Sequence, residues 1–213
     1  GMREAPRILD ACVAPGGKLF HLAERFPQAT LVGIELSRDR LAHVQQEAAR
    51  LGHENVQLIG GDATGRDWLS KLAAGDGDAA RFDLILLDAP CSGSGTLRRH
   101  PDIKLLRTEQ DVSAAAELQL ALLENLWPLL AEGGSLIYCT CSVFTEENDQ
   151  VVEAFIRRLQ QEAAPTLDRL DLPVGIATRF GWQLLPLPAD ETPPNRSVDG
   201  FYFARMTRRE KAR

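Results

Sequence analysis

Three short stretches and two isolated carboxylates carry the residues of this chain whose types and spacing could do chemistry. The stretches are Asp10-Ala11-Cys12-Val13-Ala14-Pro15-Gly16-Gly17-Lys18, Asp88-Ala89-Pro90-Cys91-Ser92 and Thr140-Cys141-Ser142, and the carboxylates are Glu35 and Asp62. The thiolate is the reactive form of cysteine, so a nucleophilic cysteine needs a polar, accessible setting. Cys141 ends an apolar run and sits between two hydroxyl residues, which makes it the candidate for an exposed thiolate. Cys139, two residues earlier on a regular strand, shares its face and reads as a buried thiol. By residue type alone Cys12 is a small buried hydrophobe. No histidine stands at ligand spacing from these cysteines, so no metal centre is expected.

Gly16-Gly17 lets backbone approach a ligand closely. Glu35 follows Gly17 by 18 residues, where an acidic side chain accepts hydrogen bonds from ribose hydroxyls. Pro15-Gly16-Gly17-Lys18 matches neither G-x-G-x-x-G nor a phosphate-gripping P-loop, so dinucleotides and nucleoside triphosphates fit poorly. An adenosyl ligand without phosphates fits, with Asp62 on the exocyclic amine of adenine and the Gly16 loop around the amino-acid end.

These residues need elements to position them. Ile8–Ala11, Leu31–Ile34, Val56–Ile59, Phe82–Leu87 and Ser135–Cys139 read as buried strands. Helical spacing follows in Leu19–Phe26, Leu41–Ala48 (capped by Ser37 and stopped at Gly52), Trp68–Ala73, a helix from Thr108, and Glu146–Leu159. Pro128 is expected to kink the fourth helix and Gly133-Gly134 to close it. Polar loops are expected at Gly75–Asp78 and at Pro188–Asp199, the latter between strands Trp182–Leu187 and Gly200–Met206. The alternation predicts an α/β fold: a mostly parallel, doubly wound sheet with an antiparallel C-terminal edge hairpin, ligands lying at the carboxyl ends of the strands. All the stretches above fall at those ends. Ala89–Arg107 is too long for an ordinary strand-to-helix connection and reads as a working loop. It holds the one basic cluster beside these stretches: Arg98, Arg99, His100, Lys104 and Arg107.

Composition narrows the class. With 213 residues, 44% hydrophobic and 25% charged, the chain reads as one globular domain over 1–213. No apolar run or leader pattern suggests a membrane or export, so a cytoplasmic protein is expected. Lys+Arg 24 against Asp+Glu 30 argues against a module held mainly by phosphate contacts but leaves room for a local basic patch. Four cysteines are too few for a disulfide scaffold. Gly1 ahead of Met2 reads as a tag remnant, and residues 206–213 as a frayed tail.

Taken together, Asp10–Lys18, Asp88-Ala-Pro-Cys-Ser-Gly-Ser-Gly95, Arg98-Arg-His-Pro-Asp102, Tyr138-Cys-Thr-Cys-Ser142 with Glu146-Glu-Asn148, and Asp199-Gly-Phe-Tyr-Phe-Ala204 resemble the Nol/Nop/Sun family of S-adenosylmethionine-dependent RNA cytosine-5 methyltransferases, most closely its bacterial 16S rRNA branch. The resemblance covers nearly the whole chain, with the motifs in family order. It implies a Rossmann-like class I methyltransferase fold and S-adenosylmethionine as cofactor, leaving as S-adenosylhomocysteine. Cys12, Val13, Ala14, Pro15, Gly16, Gly17, Lys18, Glu35, Asp62 and Asp88 match cofactor-binding positions, Cys141 the nucleophile and Cys91 the cysteine that assists product release. Asp88 beside the base can stabilise charge that develops when Cys141 adds.

The implied partner is 16S rRNA, gripped near the target by Arg98, Arg99, His100, Lys104 and Arg107, and the implied state a monomer. The same motifs serve tRNA and other rRNA sites, specificity lying in appended segments. The N-terminal RNA-binding domain usual in the bacterial branch is missing, so the chain reads as an excised catalytic domain.

Overall fold

A computed structural model describes residues 3–72, 81–159, 164–186 and 198–210. The loop expected at Gly75–Asp78 lies outside them, as do Ala73, Leu187, residues 188–197 of the Pro188–Asp199 loop and residues 211–213 of the tail. The chain divides into two compact units, one formed by Gly1–Asp88, Leu122–Ile137 and Thr207–Arg213, the other by Ala89–Ala121 and Tyr138–Met206.

In the first unit β1 (Arg7–Asp10) lies parallel to β2 (Thr30–Glu35) on one side and β4 (Phe82–Asp88) on the other, and β2 pairs in parallel with β3 (Val56–Gly60). The register sets Leu9 opposite Val32 and Ile85. Strands covered on both faces need apolar side chains at every position rather than at alternate ones. Accordingly Ile8, Leu9, Leu31, Val32, Ile34, Ile85 and Leu87 are all fully buried. Helix α1 (Gly17–Arg25) turns Leu19, Phe20 and Ala23 inward, and α2 (Arg38–Leu51) turns Leu41 and Val44 inward. Ser37 caps α2 by accepting from the Arg40 N–H, and Gly52 ends it in the left-handed conformation, as the sequence predicts.

β5 (Leu130–Thr140) gives Leu130–Ile137 to this unit and Tyr138–Thr140 to the other. The strand order runs β3-β2-β1-β4-β5 here. The Gly133-Gly134 pair does not close a helix. The fourth helix stops earlier, at Leu126, because Pro128 sits in a 3-10 turn, Trp127–Leu129, that the α-helix cannot continue through. Gly133 instead takes φ 73 within β5, its N–H donating to Arg208 O while the Arg208 N–H donates to Gly134 O. That pairing also corrects the expected frayed tail. Met206 is fully buried, Thr207 ends a strand and the Arg208 guanidinium donates to Leu130 O at 2.6 Å.

In the second unit the long working loop is partly helical, with a 3-10 turn at Ser94–Thr96 and one turn of helix, α3 (Ile103–Leu106). Then come α4 (Glu109–Leu126, shared between the units), a 3-10 turn at Thr145–Glu147 and α5 (Asp149–Arg158). Two strands unforeseen in the sequence, β6 (Thr166–Asp168) and β7 (Ile176–Ala177), precede β8 (Trp182–Leu184) and β9 (Phe201–Thr207). β8 pairs antiparallel with both β7 and β9, and β6 pairs with β9. The expected antiparallel C-terminal hairpin is present, and the fold is mixed α/β with parallel strands β1–β4.

Candidate active site

In the first unit the carboxyl ends of β1 and β4 and the loop into α1 enclose a cavity of about 180 Å³. Asp10, Cys12 through Lys18, and Asp88 line it. Gly16 adopts φ 105, which side-chain-bearing residues rarely reach, and a Cβ there would lie 2.7 Å from the Phe20 ring. Gly16 thus lets the loop pack closely on Phe20 and Val44 as α1 begins, and Gly17, where a Cβ would meet nothing within 4 Å, leaves backbone open on the cavity lining. Lys18 Nζ stands 2.5 Å from Asp88 Oδ2, an ion pair between the two ends of the motif set.

Glu35 and Asp62 do not line this cavity. Glu35, buried at the end of β2, accepts from the Ser37 N–H at 3.0 Å and the Ala14 N–H at 3.4 Å, and so braces the loop from behind. Asp62 is exposed and accepts from the Thr64 N–H and hydroxyl at 2.8 and 2.7 Å, closing its own turn.

Asp10, in the motif but not among the sequence-derived site residues, proves central. It is 1% exposed, and its Oδ1 has no hydrogen-bond partner. Burial pushes its pKa up to about 7, helped by the charges of Asp88 and Glu35 and opposed by the Cys12 N–H and Lys18. The sequence offered only a strand-terminal aspartate, with no sign that it would be enclosed. Burial, with the Asp10, Glu35 and Asp88 charges, likewise raises Cys12 to about 12. Cys12 is therefore a protonated wall of the cavity, which accommodates both expectations for it.

Because the folded pKa of Asp10 exceeds the unfolded value near 3.8, the unfolded chain releases this proton first as pH rises. Stability from this group therefore falls between about pH 4 and pH 7 and then levels off. Relative to wild type, Asp10→Asn should gain about 2–3 kcal/mol between pH 5 and pH 8. Urea unfolding of both proteins at the two pH values checks this, and a constant difference would refute it.

In the second unit Cys91 and Cys141 are both half-buried, with their Sγ atoms 3.2 Å apart. The hydrogen bond to Cys141 pushes the Cys91 thiol well above the usual cysteine range, and burial and the Cys141 charge add to it. The two sulfurs thus share one hydrogen bond, and either can donate it. Cys139 is buried, as expected. The two cysteine loops are tied by backbone: the Ala89 N–H donates to Cys139 O and the Gly95 N–H to Cys141 O, both at 2.9 Å. The Gly200 N–H in turn donates to Gly95 O at 2.8 Å, and a Cβ on Gly95 would lie 2.0 Å from Gly200 O. Gly95→Ala should therefore force the loop off Cys141 and cost about 1–3 kcal/mol of stability, measurable by denaturant unfolding.

The basic cluster separates into different roles. Arg99 pairs with Asp199 at 2.5 Å, and the Arg107 Nε–H donates to Ser92 O at 3.2 Å, so both serve the local structure. Arg98, His100 and Lys104 are exposed. Lys104 and Arg107 also line a cavity of about 580 Å³ together with Leu97, Ile103, Val112 and Phe144.

Residues 2–207 match the family model described as 16S rRNA methyltransferase RsmB/F. The chain belongs to this family. It is 40% identical over 201 residues to ribosomal RNA small subunit methyltransferase B of Shewanella oneidensis, covering 93% of this chain. To the Yersinia pseudotuberculosis protein of the same name it is 39% identical over 203 residues, 95% of this chain. In each case the chain spans 42% of the relative's length.

Among solved structures, NSun6 from Pyrococcus horikoshii with SFG superposes with a TM-score of 0.78 at 28% identity, over 98% of this chain and 49% of that one. A methyltransferase homolog from the same organism gives 0.74 at 26% identity, over 97% and 63%. The chain thus has the Rossmann-like class I methyltransferase fold. Among its described residues no helix is long and apolar enough to cross a membrane.

Proposed function

We propose that this chain transfers a methyl group from S-adenosylmethionine to carbon 5 of a cytosine in 16S rRNA through a covalent Cys141 adduct. The observation that carries the reading is the 3.2 Å approach of Cys91 to Cys141, because attack and release on one base call for two groups at one place.

The cavity at Asp10, Gly16 and Lys18 suits the cofactor's amino-acid end. The partnerless Asp10 Oδ1 and the bare loop backbone offer hydrogen bonds to an ammonium and a carboxylate, and Asp10 and Asp88 place acidic groups where a cationic ligand binds. Asp10 and Cys12 through Lys18 hold that end, with Glu35 toward the ribose and Asp62 toward adenine. Bound there, S-adenosylmethionine supplies an electrophilic methyl group. The SFG in the NSun6 structure, an analogue of that cofactor, supports the assignment.

Carbon 5 of cytosine is a poor nucleophile on its own. The Cys141 thiolate forms a bond to carbon 6, pushing electrons into the ring so that carbon 5 can attack. Asp88 hydrogen-bonds the ring nitrogen and exocyclic amine, stabilising the charge that develops. After methylation the carbon 5 proton must leave as the bond from Cys141 to carbon 6 breaks, which returns the thiolate.

Cys91 is the base for that step, and the pairing of the two sulfurs times it. With Cys141 as the attacking anion, a protonated Cys91 at 3.2 Å is placed to donate to it. Once Cys141 is bonded to carbon 6 its hydrogen bond and charge no longer hold the Cys91 proton, which eases its loss to solvent so that the Cys91 thiolate accepts the proton from carbon 5. The target base must be unstacked to reach both groups. Phe144, Lys104 and Arg107 around the 580 Å³ cavity suit a flanking nucleotide, with Arg98 and His100 on neighbouring phosphates.

The test supplies this chain with methyl-labelled S-adenosylmethionine and unmodified 16S rRNA or tRNA transcripts, followed by nucleoside analysis. Labelled 5-methylcytosine in rRNA is expected. Label in tRNA alone would keep the chemistry and discard the substrate, and label in no cytosine would overturn the reading.

A further inference from the structure

The Glu146-Glu147 pair looks in sequence like the solvated start of a helix, but Glu147 is fully buried. Four donors converge on its carboxylate. Oε1 accepts from the Ser92 N–H at 2.6 Å and from Gln119 Nε2 at 3.3 Å, and Oε2 accepts from the hydroxyls of Ser92 and Ser142, each at 2.5 Å. All four groups donate, which suits a carboxylate, and the three bonds from Ser92 and Ser142 are short, at 2.5 to 2.6 Å. Ser92 follows Cys91 and Ser142 follows Cys141, so one carboxylate grips the residue next to each thiol.

The remaining contacts extend the grip. Gln119 Nε2 also donates to Pro90 O at 2.8 Å, just before Cys91, and the Tyr138 hydroxyl donates to the Glu147 carbonyl at 2.5 Å. Asn148 accepts from the Thr140 hydroxyl at 2.6 Å and donates to Ser142 O at 3.1 Å, so the residues on both sides of Cys141 are held as well. A buried carboxylate is costly unless every lone pair is used. Here its bonds go to the two segments whose separation sets the Sγ to Sγ distance.

We infer that Glu147 is a positioning residue that clamps the Cys91 and Cys141 loops together through Ser92 and Ser142, fixing the spacing of the two sulfurs. Its hydrogen bonds described above go to Ser92, Gln119 and Ser142, and its charge also helps to raise the Cys91 thiol. Its role in turnover rests on the methyltransferase reading above, whereas the spacing it sets does not.

The test is Glu147→Gln, which keeps the size but turns an acceptor into a donor against hydroxyl and N–H donors. Diamide oxidation of the paired thiols reads the spacing without reference to any reaction. Each sulfur loses its hydrogen to diamide, which is reduced to the hydrazide, and the Cys91–Cys141 disulfide is mapped by mass spectrometry. Wild type should oxidise readily, because the sulfurs need close only from 3.2 Å to about 2.05 Å. Glu147→Gln should oxidise at least about tenfold more slowly.

With RNA, kcat should fall about a hundredfold, the loss expected of a misplacement near 1 Å. The RNA KM and the cofactor Kd should stay within about threefold. If Glu147→Gln does not fold, the single-arm variants decide: Ser142→Ala should slow adduct formation, and Ser92→Ala should slow its release. Unchanged oxidation in a folded Glu147→Gln, or no effect of either serine variant, would overturn the clamp. If Glu147→Gln oxidises more slowly than wild type as expected, yet wild type methylates no RNA, the clamp stands and the assigned reaction fails.

Discussion

Cys141→Ser should abolish both 5-methylcytosine formation and any denaturant-stable complex with RNA, whereas Cys91→Ser should methylate and then remain attached. The two sulfurs stand 3.2 Å apart, yet their substitution should act at different steps. A serine hydroxyl at 141 is a far weaker nucleophile than a thiolate, so turnover should drop by about 10⁴-fold or more, the scale seen when a covalent nucleophile is removed. Cys91→Ser leaves Cys141 able to add to carbon 6 and carbon 5 able to take the methyl group. It removes the group proposed to collect the carbon 5 proton, so the adduct should persist instead of collapsing to product. A denaturing gel with labelled RNA separates the cases, and a Cys91→Ser protein that turned over normally without an adduct would refute this division of labour.

Asp88→Asn should lower kcat by about 10²- to 10³-fold, the range for loss of one charge-stabilising group, while cofactor Kd changes less than about tenfold. Asp88 ends β4, pairs with Lys18 at 2.5 Å and lines the Gly16 cavity, with Cys91 only three residues further along the chain. If its main work is to stabilise the activated ring, the loss appears in kcat. If it chiefly holds the cofactor, titration calorimetry will show the loss in Kd instead, and its catalytic assignment falls. The exposure of Lys18, 45% at its side chain, means that the ion pair itself contributes little stability. A folding defect is therefore not expected to mask the result.

Much of this was legible because buried parallel strands leave an unmistakable apolar signature, and because chemistry gathers at their ends. Ile8, Leu31, Val56 and Phe82 each opened a strand within one residue of its observed start. β6 and β7 escaped because strands of 3 and 2 residues with exposed or half-exposed side chains have no periodicity to read. The Gly133-Gly134 pair misled because glycine is the usual helix stop, while Pro128 had already done that work. Asp10 and Glu147 were hidden for a deeper reason. Their importance lies in enclosure, and an acidic residue is nearly always exposed unless tertiary packing surrounds it. Arg99 shows the converse: its place in the basic cluster suggested RNA, and the fold pairs it with Asp199.

The most direct test of covalent catalysis uses RNA transcribed with 5-fluorocytidine throughout, since fluorine at carbon 5 leaves no proton to remove and release cannot follow. Incubation of this chain with that RNA and S-adenosylmethionine, followed by denaturing electrophoresis and sequencing of the RNA-linked peptide to the residue, reads nucleophile and mechanism at once. A cofactor-dependent complex joined through Cys141 is expected. A complex joined through Cys91, or no complex from a protein that methylates unmodified RNA, would contradict it.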